Sequence, residues 1–322
     1  MPVLPGSDRS QIQFFSLETA IGPDNEVRAI DALVNALPME ALGFEVKGQS
    51  HEGRPAFAAK ALFKLLIYGY RNGIRSSRKL EKACQCNIEL WYLLNYQQPC
   101  YKTIANFRKD NPKALRQAFR HFNKLFLEWG LFGGELAAID GSKFRAQNSK
   151  KNNYNAAKIQ RQLDYIDEKL DAYFAELDEA DGQACTDEYF EQANDKIEDL
   201  QGRRFGYEQL AKELENSGER QLSSTDPDAR ALPLHMGIVE VGYNVQTAVD
   251  GKHCMVAHYE VENEKDDVLL AKIATGAKQA LGAQTLEVLA DKGYHAGAEL
   301  KACEEEQIVT FVCPKQPNSP KK

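Results

Sequence analysis

Long hydrophobic runs are missing from this chain. The richest apolar stretch, ALFKLLIYGY, is broken by Lys64 and falls well short of the roughly 20 residues that a membrane-spanning helix needs, which argues against membrane insertion. The opening MPVLPGSDRS also lacks the charged start and apolar run of a secretory signal, so the expected compartment is the cytosol, with nucleoid association if the chain binds DNA. The 7 cysteines are an odd number without framework spacing, and a disulfide-stapled scaffold is excluded. Cys84 with Cys86 makes a C-x-C, and His253 precedes Cys254, but neither pair has a second half at metal-ligand spacing. No structural zinc site follows, and buried thiols are expected.

With 322 residues, the chain is too long for one ordinary domain and suits two, with enough apolar residues to form separate cores. Its net charge of -7 would argue against nucleic acid if it were spread evenly. It is not. From Arg54 to Lys124 there are fifteen Lys/Arg against three acids, Glu81, Glu89 and Asp110, a balance suited to a phosphate backbone. From Ala156 to Leu222 eighteen acids face eight bases, so the overall figure hides two opposite regions.

Residues 1–50 are mixed and read as a lead-in, with a helix from Glu26 to Leu37 closed by Pro38. Beyond Arg54, Phe57, Ala61, Leu65 and Tyr68 recur at helical spacing, and Gly69, Asn72 and Gly73 loosen the chain before a helix at Ser77–Cys84. Another helix is predicted over Ile88–Leu94. After Pro99, Thr103 reads as the N-cap of a short helix containing Ile104, Phe107 and Arg108, as in a helix-turn-helix-like unit. Within this region, Arg71, Arg75, Arg78, Lys79, Lys102, Arg108 and Lys109 are the candidate DNA contacts. A merely solvated basic face is the plainer reading; clustering of one sign, with aromatic residues between, favours DNA.

At ELAAIDGSKFRA the pattern becomes that of a strand, with Leu136, Ala138 and Asp140 on one side and Asp140 at its end. An acidic segment follows. Ile159, Leu163, Ile166, Leu170, Tyr173 and Leu177 form one apolar seam, and Ala193, Ile197, Leu200, Tyr207, Ala211 and Leu214 a second, with loop signals at Asp181-Gly182 between them. Two such seams predict an antiparallel helical hairpin. From STDPDAR onward the chain is mixed α/β: strands VGYNVQTAVD and CMVAHYEV joined by Asp250-Gly251, a helix capped by Asp266 and running to Leu281, strand TLEVLAD, helix GAELKACEEE and strand IVTFVC.

Asp140 and Asp291 each stand at the end of an apolar strand. If those strands are neighbours, their carboxylates enter one crevice and offer the hard oxygen ligands that Mg²⁺ or Mn²⁺ requires. Taken alone, either Asp could equally be a turn residue, since DGSK and ADKG are both good turns.

The sequence resembles the DDE transposases of bacterial insertion sequences, in the group with an InsH-like N-terminal domain and a ribonuclease H-like core interrupted by a helical insertion. The resemblance is carried by SSRKLEKACQCNIELWYL, YKTIANFRKDN, AAIDGSKFRAQNSKKNNYN, STDPDAR, VGYNVQTAVD and VLADKGYHAGAEL, in that order over most of residues 50–315. It implies that Asp140 is the first catalytic acid and Asp291 the second, that Mg²⁺ or Mn²⁺ is the cofactor, and that the partners are element-end and target DNA, bound by a homo-oligomer. It also implies a third acid, a Glu on a helix well downstream of the second Asp. The chain stops at Lys322, so the expectation is a truncated copy. Glu299 and Glu304 to Glu306 are too near Asp291 to serve.

The expected architecture is α+β and multidomain: an N-terminal all-α DNA-binding domain followed by an α/β ribonuclease H-like core interrupted by an antiparallel helical hairpin. Its parts are a lead-in (1–50), a helical DNA-binding domain (51–132), a first core segment (133–155), a helical insertion (156–222), a second core segment (223–315) and a polar tail (316–322). The expected function is metal-dependent cleavage and transfer of DNA strands at element ends, weak or lost in this chain without the third acid. The alternatives are a non-catalytic DNA-binding fragment that regulates the complete enzyme, and an unrelated metal-dependent nuclease or phosphatase.

Overall fold

The computed structural model describes residues 10–12, 14–44, 56–181, 187–233 and 238–315. Arg54, Gly182 and the tail 316–322, all used in the sequence reading, lie outside them. The chain is α+β and divides into two compact units, Met1–Leu125 and Phe126–Lys322.

The N-terminal unit is helical: α1 (Leu17–Ala20), α2 (Glu26–Ala36), α3 (Ala59–Arg71), α4 (Ser77–Cys86), α5 (Ile88–Leu94), α6 (Tyr101–Asp110) and α7 (Pro112–Glu128). Local chemistry sets several ends. Asn25 caps α2 by accepting from the Val27 amide, and Asn87 both terminates α4 and caps α5 by accepting from the amides of Glu89 and Leu90. Asn95 then ends α5 in the left-handed region at φ 49°. Val27 and Val34 of α2 share one core with Leu65, Leu80, Leu90 and Ile104. The stretch read as a lead-in therefore contributes a helix to that core. Partly buried beside this core, the Glu89 carboxylate accepts from Tyr68 Oη at 2.6 Å and Asn25 Nδ2 at 2.9 Å, tying the start of α2 to α3 and α5. Burial, reinforced by the bond to Glu89, pushes the Tyr68 hydroxyl up to about 12.

Thr103 is not the N-cap of α6. That position belongs to Cys100, and Thr103 lies inside the first turn, its hydroxyl 3.3 Å from the Cys100 thiol. Cysteine is a weak capping residue, so the sequence carries little mark of this boundary.

In the second unit, β1 (Leu136–Arg145) is central to a mixed sheet. The other strands are β4 (Arg230–Pro233), β5 (Val239–Asp250), β6 (Val256–Glu262), β7 (Leu286–Ala290) and β8 (Ile308–Val312), in the order β4-β5-β1-β7-β8 with β6 also paired to β5. β5 is antiparallel to β1, β4 and β6, whereas β7 runs parallel to both β1 and β8. Helices α10 (Leu270–Leu281) and α11 (Gly297–Glu305) cover one face and bury Ala137, Ile139, Ala248 and Val288 against Ile273, Ala277 and Cys303. On the other face Leu289, Val309 and Phe311 are 43%, 54% and 50% exposed, so this unit leaves one apolar side of its sheet open.

Between β1 and β5 the chain forms the long pair α8 (Ala156–Asp181) and α9 (Asp187–Ser217). Ile166 and Leu170 pack against Ile197 and Leu200. Contacts run in opposite directions along the two helices, from Gln162 with Tyr207 through Asp167 with Arg204 to Tyr173 with Lys196, which makes the pair antiparallel. Its base is closed by β2 (Asn153–Tyr154) pairing with β3 (Leu222–Ser223).

Two expectations for the sheet change. The strand bearing Asp140 does not end there but runs on to Arg145, because β5 continues to pair with it through Gly242. Only the β7 side of the ladder stops, at Ile139 opposite Ala290. Asp266 does not act as a helix cap: Lys265 precedes a short 3-10 turn at Asp266–Val268, and the Asp266 side chain turns inward to other partners.

Candidate functional site

Along β1 the pleat alternates faces, with Ala137 and Ile139 buried and Ala138, Asp140, Ser142 and Phe144 exposed. On β7, Val288 is buried and Leu289 exposed, and Ala138 is the register partner of Leu289. Two residues further along each strand come Asp140 and Asp291, one step beyond the last pair, Ile139 and Ala290. Both acids are exposed, Asp140 on β1 and Asp291 one residue beyond the end of β7, where it caps the next turn.

Backbone amides orient each acid. Asp140 Oδ1 accepts from the Gly141 amide at 2.8 Å, and Asp291 Oδ1 accepts from the Gly293 amide at 2.7 Å as Asp291 caps the 3-10 turn Lys292–Tyr294. Each carboxylate keeps its second oxygen and remaining lone pairs for another partner. Both are exposed hard-oxygen donors of the kind that could ligate a divalent cation. Among the described residues no group of three or more His, Cys, Asp or Glu is arranged to hold a metal ion.

On the covered face of the sheet lies a set of polar side chains to which the sequence reading assigned no part in the site. Asn244 and Gln246 of β5 are fully buried. Both side-chain amides donate to Asp266 Oδ1, at 2.8 and 2.9 Å, and Lys143 Nζ lies 3.1 Å from Asp266 Oδ2. Tyr294, also buried, donates to Gln246 Oε1 at 2.5 Å. The sequence did hold one signal for this set: amide side chains at alternate positions of an apolar strand are buried and must find partners.

The helical unit holds the other candidate residues. Helix α4 packs on α6, bringing the basic start of one to the basic flank of the other. The Arg78 guanidinium lies 5.1 Å from the centre of the Tyr101 ring. Arg108 reaches back to α4, donating to Ser77 Oγ at 2.6 Å and to the Arg75 carbonyl at 3.3 Å, with Tyr70 Oη at 3.4 Å. It therefore braces α6 against α4 as well as adding charge. Arg75, Lys79, Lys102 and Lys109 are exposed, while Arg71 at the end of α3 pairs with Glu26 at 3.0 Å and is spatially tied to α2.

Residues 15–110 match a transposase domain. The family model is described as "Transposase domain (DUF772)", and the match spans α1 through α6. It supports a transposase-family protein, and it falls on the segment in which the clustered basic residues sit. Neither a curated protein nor a solved structure matches this chain. No helix of the described residues is long and apolar enough to cross a membrane.

Proposed function

We propose that the chain is a DDE-type transposase that binds insertion-sequence ends through its transposase domain and carries out strand cleavage and transfer at Asp140 and Asp291. In this reading the sheet with α10 and α11 is a ribonuclease H-like core, and the α8–α9 hairpin is its insertion. What supports the proposal is that the two exposed acids stand at equivalent steps along the paired parallel strands β1 and β7, each one residue past their last pair, in a chain whose N-terminal segment matches a transposase domain. A bound Mg²⁺ or Mn²⁺ would supply Lewis-acid stabilisation of charge at the phosphorus. Asp140 and Asp291 would hold that cation, each kept in orientation by the amide it accepts from. The exposed bases on α4 and α6 would neutralise backbone phosphates, and strand transfer would take place in a homo-oligomer assembled on the element ends.

Removing either acid should cost about a hundredfold to a thousandfold in rate, the common loss for one electrostatic stabiliser of this kind. The test is a duplex carrying an element end, incubated with the protein and Mg²⁺ or Mn²⁺. Nicking that disappears in Asp140→Ala and Asp291→Ala supports the proposal, and nicking undiminished in both variants would overturn it. Binding without any Asp140-dependent nicking would turn the reading to a DNA-binding regulator.

A further inference from the structure

We infer that Tyr294, Gln246 and Asp266 are positioning residues that set the spacing of the two acids from beneath the sheet; this rests on the proposed role of Asp140 and Asp291. The network links the segment after one acid to the segment after the other. Lys143 stands three residues after Asp140 and Tyr294 three residues after Asp291, and both point to the covered face. Between these ends the bonds are continuous: Tyr294 Oη donates to Gln246 Oε1, Gln246 Nε2 donates to Asp266 Oδ1, and Lys143 Nζ donates to Asp266 Oδ2. Asn244 Nδ2 adds a second bond to Asp266 Oδ1.

Stability alone is a weak reason for such an arrangement. Burying an amide, a phenol and an ion pair carries a desolvation cost that well-packed apolar side chains would avoid. What the network adds is a fixed distance. The ladder between β1 and β7 ends at Ile139 and Ala290, so no strand pairing ties Asp140 to Asp291 themselves. The polar chain runs through β5 and the turn before α10, and it bridges that gap. Gly141, directly after Asp140, leaves room for it: a Cβ there would lie 2.8 Å from Asp266 Oδ1 and 2.9 Å from Asn244 Oδ1.

The test uses the full chain with Tyr294→Phe, which keeps the ring and removes only the hydroxyl, and Asp266→Asn as a second variant. Two quantities are read beside the melting temperature. The first is Mn²⁺ affinity by paramagnetic resonance, with Asp140→Asn as the control for binding at the acids. The second, free of metal, is hydrogen exchange at the Gly141 and Gly293 amides. Tyr294→Phe should weaken Mn²⁺ binding about tenfold or more and speed exchange at Gly293 roughly tenfold, the change expected for one hydrogen bond. A fall in melting temperature with both quantities unchanged in both variants would mean the network is only structural and would overturn the inference. Should the wild-type chain show no Asp140-dependent Mn²⁺ binding, the metal reading fails separately, and the exchange rates alone decide the positioning role.

Discussion

Gly141 and Gln246 face each other across the β1–β5 ladder with no room for a side chain between them, since a Cβ on residue 141 would overlap Gln246 Nε2. Long polar side chains can usually swing away from such an intrusion. Here Gln246 is held at both ends, by Tyr294 and by Asp266. Gly141→Ala is therefore expected to destabilise by about 1–3 kcal/mol, the range for overpacking a fixed interior. Urea unfolding of the two proteins measures it, and an unchanged midpoint would show that the network yields freely.

Asp250 ends β5 with its side chain buried. Its burial favours the neutral acid, but the amides of Gly133, Gly134 and Lys252, with the charge of Lys252, outweigh this and hold the carboxyl below its ordinary value. A depressed folded pKa adds stability above the unfolded value of about 3.9, and that stability is lost as pH falls through the folded pKa. Asp250→Asn should cost about 1–3 kcal/mol at neutral pH, because its NH₂ cannot accept from the amides the carboxylate served. The difference between wild type and variant should shrink below about pH 4. A difference that stays constant from pH 7 to pH 3 would show that the charge is not what these amides hold.

What could be read from the sequence follows how local each feature is. The two seams of the hairpin are short-range periodicity, and Ile166, Leu170, Ile197 and Leu200 do form its core. Helices at Glu26, Ser77 and Ile88 were legible because local breakers punctuate them, Pro38 after the first, Gly73 before the second and Pro99 after the third. The continuation of β1 past Asp140 was not, because it depends on β5, a hundred residues later, supplying partners. Asp266 was mistaken for a cap for the same reason: a carboxylate before a helix looks identical whether it caps or, as here, meets Lys143 from a distant strand. β4 begins with Arg230 and ends with Pro233, so composition gave it no strand signal. That the strands leading to Asp140 and Asp291 are neighbours needed both the strand order and the register, neither of which periodicity determines.

Helix α9 carries Gly202 and Gly206 in its interior, and a Cβ at either would meet nothing within 4 Å. Glycine in a helix costs about 0.8–1.0 kcal/mol relative to alanine. Gly202→Ala and Gly206→Ala should each stabilise the hairpin by roughly that amount, read as slower hydrogen exchange along α9. Faster exchange would show that the small residues answer a packing need.

The bases on α6, on α4 and just before α4 divide into two kinds, and their substitution should separate binding from bracing. Arg75, Lys79 and Lys102 are exposed, so replacing them by Ala should leave the melting temperature nearly unchanged, surface substitutions being worth within about 0.5 kcal/mol. DNA affinity should fall, and the slope of log K against log salt should flatten by up to about 0.9 for each phosphate that is no longer neutralised. Arg108→Ala should do both, weakening DNA binding and lowering the melting temperature, because its guanidinium donates to Ser77 and to the Arg75 carbonyl. Lys169 and Lys212, exposed on the acidic hairpin, serve as the control pair and should change neither. The measurement is fluorescence anisotropy with a labelled duplex at several salt concentrations. If the triple variant kept its full slope while the control pair showed a flattened one, the DNA surface would lie on the hairpin and the assignment to α4 and α6 would be wrong.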